Sequence, residues 1–349
     1  MHLIALSGGV DSSAALLLSK EKYGASLLGA TLALADPSSP EAAADAKNIA
    51  DAAAVCEIAG IPHVPVYAHE EFRKAVMDYF AREYLSGRTP NPCVVCNREI
   101  KFGLFADFAS ANGCDKIITG HYARLETLNG YTAIRKAADI TKDQSYVLAM
   151  LTQDQLKRAD FPLGGYTKPQ IRDMAEEAGL KTAQRKDSQD VCFIPDGDYV
   201  SFITRHTGEI PLPGDYVDET GKVLGKHKGQ WCYTIGQRKG LGISMGRHVF
   251  VLSKDAASNR VTLGDEAPLF HKTVKITDVH APSDPSWIAG DTECKAKLRY
   301  AHREADAVFR RTSETEGVIE FAEPQRAPSP GQFAVLYKED YVIGAGVIA

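Results

Sequence analysis

The run Leu3-Ile4-Ala5-Leu6-Ser7-Gly8-Gly9-Val10-Asp11-Ser12-Ser13 reads as a buried strand, a two-glycine turn and the start of a helix. Gly8 and Gly9 allow a tight turn and a close approach of backbone to ligand. The N–H groups of such a turn and of the first helical turn face an anion, with the positive helix end behind them. Ser7, Ser12 and Ser13 supply hydroxyls, and Asp11 is placed to orient a metal or to cap the helix. A Walker A loop carries Lys just before its Ser. Asp11 stands at that place, which disfavours a loop built to cleave a γ-phosphate. The bland alternative is a capped Ser/Gly turn with no ligand.

Outward from this turn, strand and helix patterns alternate. Residues 11–23 form a helix stopped by Gly24, residues 27–34 a second strand, and residues 41–59 a helix between Pro40 and Gly60. Residues 61–67 give a third strand, near an edge because of Pro62 and Pro65. Helical patterns return at 70–85 and 97–111, with a short strand at 116–119. Two further helices cover 152–159 and a stretch from the capping-box pattern at Thr167 to Gly179. This order implies an α/β domain with a parallel sheet covered on both faces. After Pro195, glycines and prolines break the chain into short pieces. Residues 275–280, 293–300, 305–311, 317–321 and 333–337 read as strands of an all-β barrel or sandwich. The expected domains are 1–195, a small linking domain at 196–264, and a β-barrel at 265–349.

The chain has 349 residues, with 40 basic and 45 acidic side chains and a net charge of −5. No general basic excess announces a nucleic-acid binder, so such a role needs a local patch. One exists: residues 222–260 hold eight Lys/Arg (Lys222, Lys226, Lys228, Arg238, Lys239, Arg247, Lys254, Arg260) against the single acid Asp255. His227, His248, Trp231, Tyr233 and Phe250 are interleaved, as phosphate and base contacts require. An ordinary basic surface is the competing reading. The apolar start ends at Ser7, too short for a signal segment or a membrane span. A cytoplasmic location with no membrane partner is expected.

Seven cysteines are too few and too scattered for a secreted disulfide framework. Cys93-Val94-Val95-Cys96 stands just before a helix, whose positive end favours thiolates and therefore reactive sulfur or a metal. Cys192 lies where a polar loop meets an apolar run. One CxxC lacks the two further ligands of a structural zinc site. Cys56, Cys114, Cys232 and Cys294 each sit alone and suit a buried, inert role.

The Ser-Gly-Gly-x-Asp-Ser pattern resembles the PP-loop of ATP pyrophosphatases, which adenylate a substrate and release pyrophosphate. Essentially the whole chain resembles the tRNA-specific 2-thiouridylase family, a set of enzymes with an adenine nucleotide α-hydrolase-like domain. The likeness rests on the loop, on Gly87–Phe102, Thr119–Arg124, Lys142–Tyr146, Lys186–Ile194 and Gly236–Ile243, on Arg299-Tyr300, and on Glu323–Gln332. It implies replacement of the C2 oxygen of a wobble uridine by sulfur, using ATP and Mg2+, a tRNA with a wobble uridine, and a sulfur donor. That donor is a sulfur-relay protein, a cysteine desulfurase or sulfide.

The chemistry is coherent with the residues. An amide-like C2 oxygen leaves poorly until AMP is attached, after which a sulfur nucleophile displaces it. By resemblance, Cys192 is the persulfide carrier and first nucleophile, and Cys96 its resolving partner in a transient disulfide. ATP contacts carry over to Ala5, Leu6, Ser7, Gly8, Gly9, Val10, Asp11, Ser12, Leu32 and Gly120. Contacts to tRNA or the target base carry over to Asn91, Pro92, Cys93, His121, Lys142, Asp143, Gln144, Arg299, Tyr300 and Gln332. Many family members have Asp where this chain has Cys93. Three thiols at Cys93, Cys96 and Cys192 suit either a 4Fe–4S cluster or a persulfide relay with a spare thiol. A PP-loop amide synthetase that adenylates a small carboxylate is the rival enzyme. An RNA-binding module that senses ATP without turnover is the rival from another class.

Overall fold

The apolar residues of the first strand alternate between two cores, and this period of two sets the layering. Leu3 faces one core with Ile117, Phe102 and Phe105; Ile4 and Leu6 face the other with Leu16, Ile118 and Ile171. In the computed structural model, which describes residues 1–180 and 191–349, a parallel sheet results. Its strands are β1 (His2–Ala5), β2 (Leu27–Ala33), β3 (His63–Tyr67), β4 (Lys116–Ile118) and, further along, β7 (Ala159–Asp160). Their order is β3-β2-β1-β4-β7. The order reverses between β1 and β4, where open α/β sheets bind ligands at the carboxyl ends of the strands.

The expected α/β class is observed, with small shifts at element ends. The first helix runs Val10–Tyr23 and stops at Gly24. The helix Ala42–Ala59 ends on a left-handed Gly60. β3 is an edge strand, which accommodates Pro65. One expectation is corrected. The CxxC does not precede its helix but lies inside it. Helical backbone begins at Pro92, with Asn91 accepting from the Cys93 N–H at 3.1 Å, and continues to Ala111. Its middle stretch, Cys96–Leu104, is a π-helix.

Between β4 and β7 an antiparallel hairpin, β5 (Ala123–Leu128) and β6 (Tyr131–Lys136), departs from the parallel sheet. The left-handed Asn129-Gly130 pair makes its turn, a strong hairpin signal that strand periodicity alone does not reveal. Beyond the helix Tyr199–Thr207 comes a four-stranded sheet in the order β10-β11-β8-β9. Its strands are β8 (Gly214–Val217), β9 (Val223–His227), β10 (Phe250–Asp255) and β11 (Arg260–Gly264).

The final part is a closed barrel. Its strands are β12 (Phe270–His280), β13 (Thr292–Lys297), β14 (Ala305–Arg311), β15 (Glu316–Arg326), β16 (Phe333–Lys338) and β17 (Tyr341–Ile348), in the order β12-β15-β14-β13-β16-β17 around it. The β12–β17 pairing closes the ring. β17 also pairs with β6 through Tyr341 and Arg135, so the hairpin of the first part extends the barrel's sheet. Further bonds join the two: Lys136 Nζ donates to Glu304 at 2.8 Å, Tyr146 Oη to the Phe333 carbonyl at 2.8 Å, and Gln332 Nε2 to the Thr89 carbonyl at 2.9 Å.

Gly164 lies where the chain passes under β5, and a Cβ there would fall on the Ala123 carbonyl. Gly164→Ala is expected to destabilise the protein by about 1–3 kcal/mol, as overpacking against fixed backbone does. Denaturant unfolding of the variant beside the parent measures this.

Candidate active site

The phosphate loop is shaped by its own serines. Gly8 takes φ +69°, and the helix opens at Gly9 without a side-chain cap. The Ser7 N–H donates to Ser12 Oγ at 3.1 Å, while Ser12 and Ser13 hydroxyls donate to the Gly9 carbonyl at 3.1 and 2.9 Å. Leu6 and Val10 are buried in the core, so only their backbone faces a ligand. Leu32 lies near the carboxyl end of β2, partly buried against the core.

Asp11, expected to orient a metal or cap the helix, is already engaged. Lys168 Nζ donates to its two carboxylate oxygens at 2.7 and 2.8 Å, and Tyr122 Oη donates to it at 2.8 Å. Lys168 is only 6% exposed, at the first position of the helix Lys168–Glu177. A cation there opposes the helix dipole. Lys168 is buried and Asp11 half-buried, so the pair lies at the edge of the loop. Sequence reading took Lys168 only as part of a capping box; nothing local in the sequence links it to Asp11.

Gly120 follows β4, and a Cβ on it would lie 2.9 Å from backbone atoms of Asp11 and Ser12. Only glycine lets the end of β4 meet the phosphate loop this closely. The next residue, His121, is buried. Its Nδ1 shares a 2.7 Å hydrogen bond with Thr119 Oγ1, and its ring packs 6.1 Å from Phe102 and 5.8 Å from Phe161. Burial, aided by Lys101, holds its pKa well below the ordinary value, so the ring is neutral. Phe102 and Lys101 belong to the helical run that carries Cys96. The phosphate loop and the thiol helix are therefore joined through Gly120-His121.

Cys93 and Cys192 are exposed, while Cys96 is buried. The residue after Cys192, Phe193, packs 5.6 Å from Phe72 and 5.4 Å from Phe80 and contacts the core that includes Cys96. The loop segment before it, Lys186–Asp190, lies outside the described residues. Cys192 reaches solvent but is crowded by neighbouring atoms, and that desolvation pushes its thiol pKa up to about 12, with Cys96 and Cys93 raising it further and Lys101 opposing. Desolvation by neighbouring atoms also raises the exposed Cys93 and the buried Cys96, again with Lys101 opposing. The expectation of lowered thiol pKa values is thus corrected: the cysteines of the CxxC lie within the helical run, and desolvation raises the pKa values of all three thiols. Among the described residues no group of three or more His, Cys, Asp or Glu is placed to hold a metal ion. Cys93, Cys96 and Cys192 lie within electrostatic reach of one another, but in this arrangement they are not drawn together as the ligands of a cluster are.

The residues expected to touch tRNA divide. Tyr300 is 42% exposed, with its hydroxyl donating to the Asp143 carbonyl at 3.2 Å, Lys297 Nζ 5.5 Å from its ring, and Cys93 within electrostatic reach. Asp143 instead turns inward, accepting from the Ala137 N–H at 2.9 Å and the Ser145 hydroxyl at 2.6 Å. Gln144 accepts from the Tyr122 N–H at 2.9 Å, and Lys142 is partly exposed beside them. Arg299 donates to the Ala327 carbonyl at 2.7 Å and Ser329 Oγ at 2.6 Å. Gln332 holds the carbonyls of Thr89 and Pro90, fixing the segment that leads into Asn91 and the buried Pro92.

In the linking domain, Trp231, Tyr233, Phe250 and His227 are buried, which corrects the reading of an interleaved aromatic surface. Lys254 donates to the Tyr233 carbonyl at 2.8 Å, and burial brings its pKa down to about 8. The exposed cations include Arg238, Lys239 and Arg247. A cavity of about 400 Å³ is lined by Arg238, Ile243, Ser244, Arg247 and His248 among others.

Residues 2–196 match the family described as tRNA methyl transferase HUP domain, residues 200–265 the tRNA methyl transferase PRC-barrel domain, and residues 272–348 the Aminomethyltransferase beta-barrel domain. The tRNA-specific 2-thiouridylase MnmA of Lachnoclostridium phytofermentans is 40% identical over 99% of this chain and 98% of its own. The proteins of the same name from Caldicellulosiruptor saccharolyticus and Treponema denticola are 43% and 42% identical, each over 99% of this chain and 97% of its own. The chain belongs to the tRNA-specific 2-thiouridylase MnmA family. A solved structure, the U34-tRNA thiolase NcsA from Methanococcus maripaludis with its 4Fe–4S cluster, covers 59% of this chain and 67% of its own at 19% identity and a TM-score of 0.36. No helix among the described residues is long and apolar enough to cross a membrane.

A thiol with so high a pKa reacts through a small thiolate fraction that grows about tenfold per pH unit. Alkylation of Cys192 by iodoacetamide, followed by peptide mass spectrometry, is expected to accelerate in that way from about pH 7 to about pH 10. A rate that levels off near neutrality contradicts the desolvated thiol.

Proposed function

We propose that this chain is a tRNA uridine 2-sulfurtransferase, which adenylates the C2 oxygen of a wobble uridine with ATP and replaces it by sulfur. The observation that carries this reading is the Gly120-His121 junction, which couples a pyrophosphate cradle to a helix bearing thiols. An amide synthetase needs the first half of that arrangement and leaves the second without a task.

The triphosphate lies over Ser7–Ser12, at the positive end of the helix Val10–Tyr23. Asp11 is the loop carboxylate that fits Mg2+, a hard cation suited to carboxylate and phosphate oxygens; when bound, the ion shields the triphosphate charge. Lys168, released from Asp11, turns its ammonium to the phosphates. The anticodon loop presents an unstacked uridine, received between Asn91, Pro92, Cys93 and the exposed ring of Tyr300. Attack of the C2 oxygen on the α-phosphorus gives the adenylate and releases pyrophosphate.

Sulfur is delivered from a persulfide on Cys192. Its terminal sulfur attacks C2 and AMP leaves. Cys96 then attacks Cys192 Sγ, which frees 2-thiouridine and closes a disulfide. Lys101 is the cation facing these sulfurs, and it stabilises whichever one is leaving as a thiolate. The sulfur is borne by cysteine and not by a cluster. It reaches Cys192 as sulfane sulfur passed from a relay protein or a desulfurase, or from sulfide that attacks Cys192 Sγ of the Cys96–Cys192 disulfide and releases Cys96 as a thiolate. The exposed cations of the linking domain, Arg238, Lys239 and Arg247, take tRNA phosphates.

The assay is mass spectrometry of tRNA nucleosides after incubation with ATP and inorganic polysulfide as the source of sulfane sulfur, with AMP and pyrophosphate measured in parallel. The reading requires tRNA-dependent pyrophosphate release and 2-thiouridine from iron-free protein; ATP binding without turnover refutes it. Cys192→Ser should abolish thiolation and leave tRNA affinity nearly intact. Lys168→Met should weaken ATP binding by about tenfold or more, the scale of one charge-assisted phosphate contact.

A further inference from the structure

Three thiols share this site, and the reaction just described uses two of them. The third, Cys93, is not a bystander by position. It lies in the first turn of the helix, one residue after Pro92, and the Cys96 N–H donates to the carbonyls of Pro92 and Cys93. The two cysteines are therefore one helical turn apart on one face, where Cβ atoms stand about 5–6 Å from each other. A disulfide takes Cα atoms about 4.4–6.8 Å apart and Cβ atoms about 3.5–4.5 Å apart. A modest tightening of this single turn brings the pair within bonding range.

Access differs in a useful way. Cys93 is exposed and Cys96 buried, so a reductant from solution meets Cys93 first. Cys192 is exposed, and both other thiols act on it electrostatically. Phe193, wedged against Phe72, Phe80 and Phe202, ties Cys192 to the core behind Cys96. A lasting Cys96–Cys192 disulfide would lock the sulfur carrier to that buried position and keep it from being recharged.

Resting on the sulfurtransferase reading, we propose that Cys93 and Cys96 form the disulfide that ends each cycle in this chain, returning Cys192 as a free thiol. The step is a thiol–disulfide exchange. Cys93 loses its proton, its sulfur attacks Cys96 Sγ, the Cys96–Cys192 bond breaks, and Cys192 leaves as a thiolate that takes up a proton. No net oxidation occurs in this exchange. The Cys93–Cys96 disulfide is then reduced by an external dithiol, which is itself oxidised to a disulfide.

The test uses the full-length protein with iron chelated, charged with one equivalent of inorganic polysulfide and then given ATP and tRNA without added dithiol. The reaction is quenched with acid, alkylated with N-ethylmaleimide and digested with trypsin, which places Cys93 and Cys96 in one peptide, residues 89–98. The proposal requires that peptide to be lighter by two hydrogens and free of label, with Cys192 alkylated. In Cys93→Ser, a Cys96–Cys192 cross-linked peptide should accumulate, and repeated turnover with limiting dithiol should fall at least tenfold. A parent protein that places sulfur in tRNA while Cys93 stays alkylatable and Cys96 is linked to Cys192 overturns the relay alone. Failure of the parent to place sulfur in tRNA at all overturns the activity on which it rests.

Discussion

The absence of one side chain holds the two halves of the site together. Gly120 lets the end of β4 press against the backbone of Asp11 and Ser12, closer than any Cβ permits. His121 then turns its ring between Phe102 and Phe161, anchoring the thiol helix to the same strand end. A larger residue at 120 would push the phosphate loop away from the thiol helix. The chemistry depends on that junction, because an activated oxygen and its replacing sulfur must reach one carbon atom.

Electrostatics at rest keeps each half of the site quiet. Lys168 neutralises Asp11 where a triphosphate is expected, and desolvation raises the pKa values of the thiols. Both conditions change with the arrival of substrate. A triphosphate competes for Lys168, and a persulfide, more acidic than a thiol, brings its own ionisable sulfur near Lys101. The hydrogen bonds from Gln332 of the barrel to the Thr89 and Pro90 carbonyls fix the Arg88–Pro92 approach without using charges that tRNA would need.

Much of this was legible in the residues. The Gly8-Gly9 turn between an apolar run and a helix specified the strand–turn–helix unit, and alternating segments specified the parallel sheet. The cysteines stood out because CxxC is rare and Cys192 sits at a polar-to-apolar border. What escaped depended on partners distant in sequence. The hairpin around Asn129-Gly130 joins a barrel whose nearest strand lies some two hundred residues later, at Tyr341. Asp143 looks solvated by composition, yet three bonds from Ala137 and Ser145 turn it inward. Trp231, Tyr233 and Phe250 sit among lysines in sequence but are buried in three separate apolar clusters, Trp231 against Phe80 and Phe202 of the first part. Sequence neighbours alone do not show which of these side chains pack inward, and the exposed cations were the surface signal. Lys168 was invisible because its meaning lies in a pairing 157 positions away.

The most direct test of the account is a structure of the chain with tRNA and a non-hydrolysable ATP analogue. It should place the target uridine between the loop at Ser7–Ser12 and the thiols, with the α-phosphorus about 3–3.5 Å from the C2 oxygen and Cys192 Sγ facing C2 with room for one sulfur atom between them. A uridine bound at the nucleotide with Cys192 held on a different face of the domain, while the Gly120-His121 junction remains intact, contradicts it.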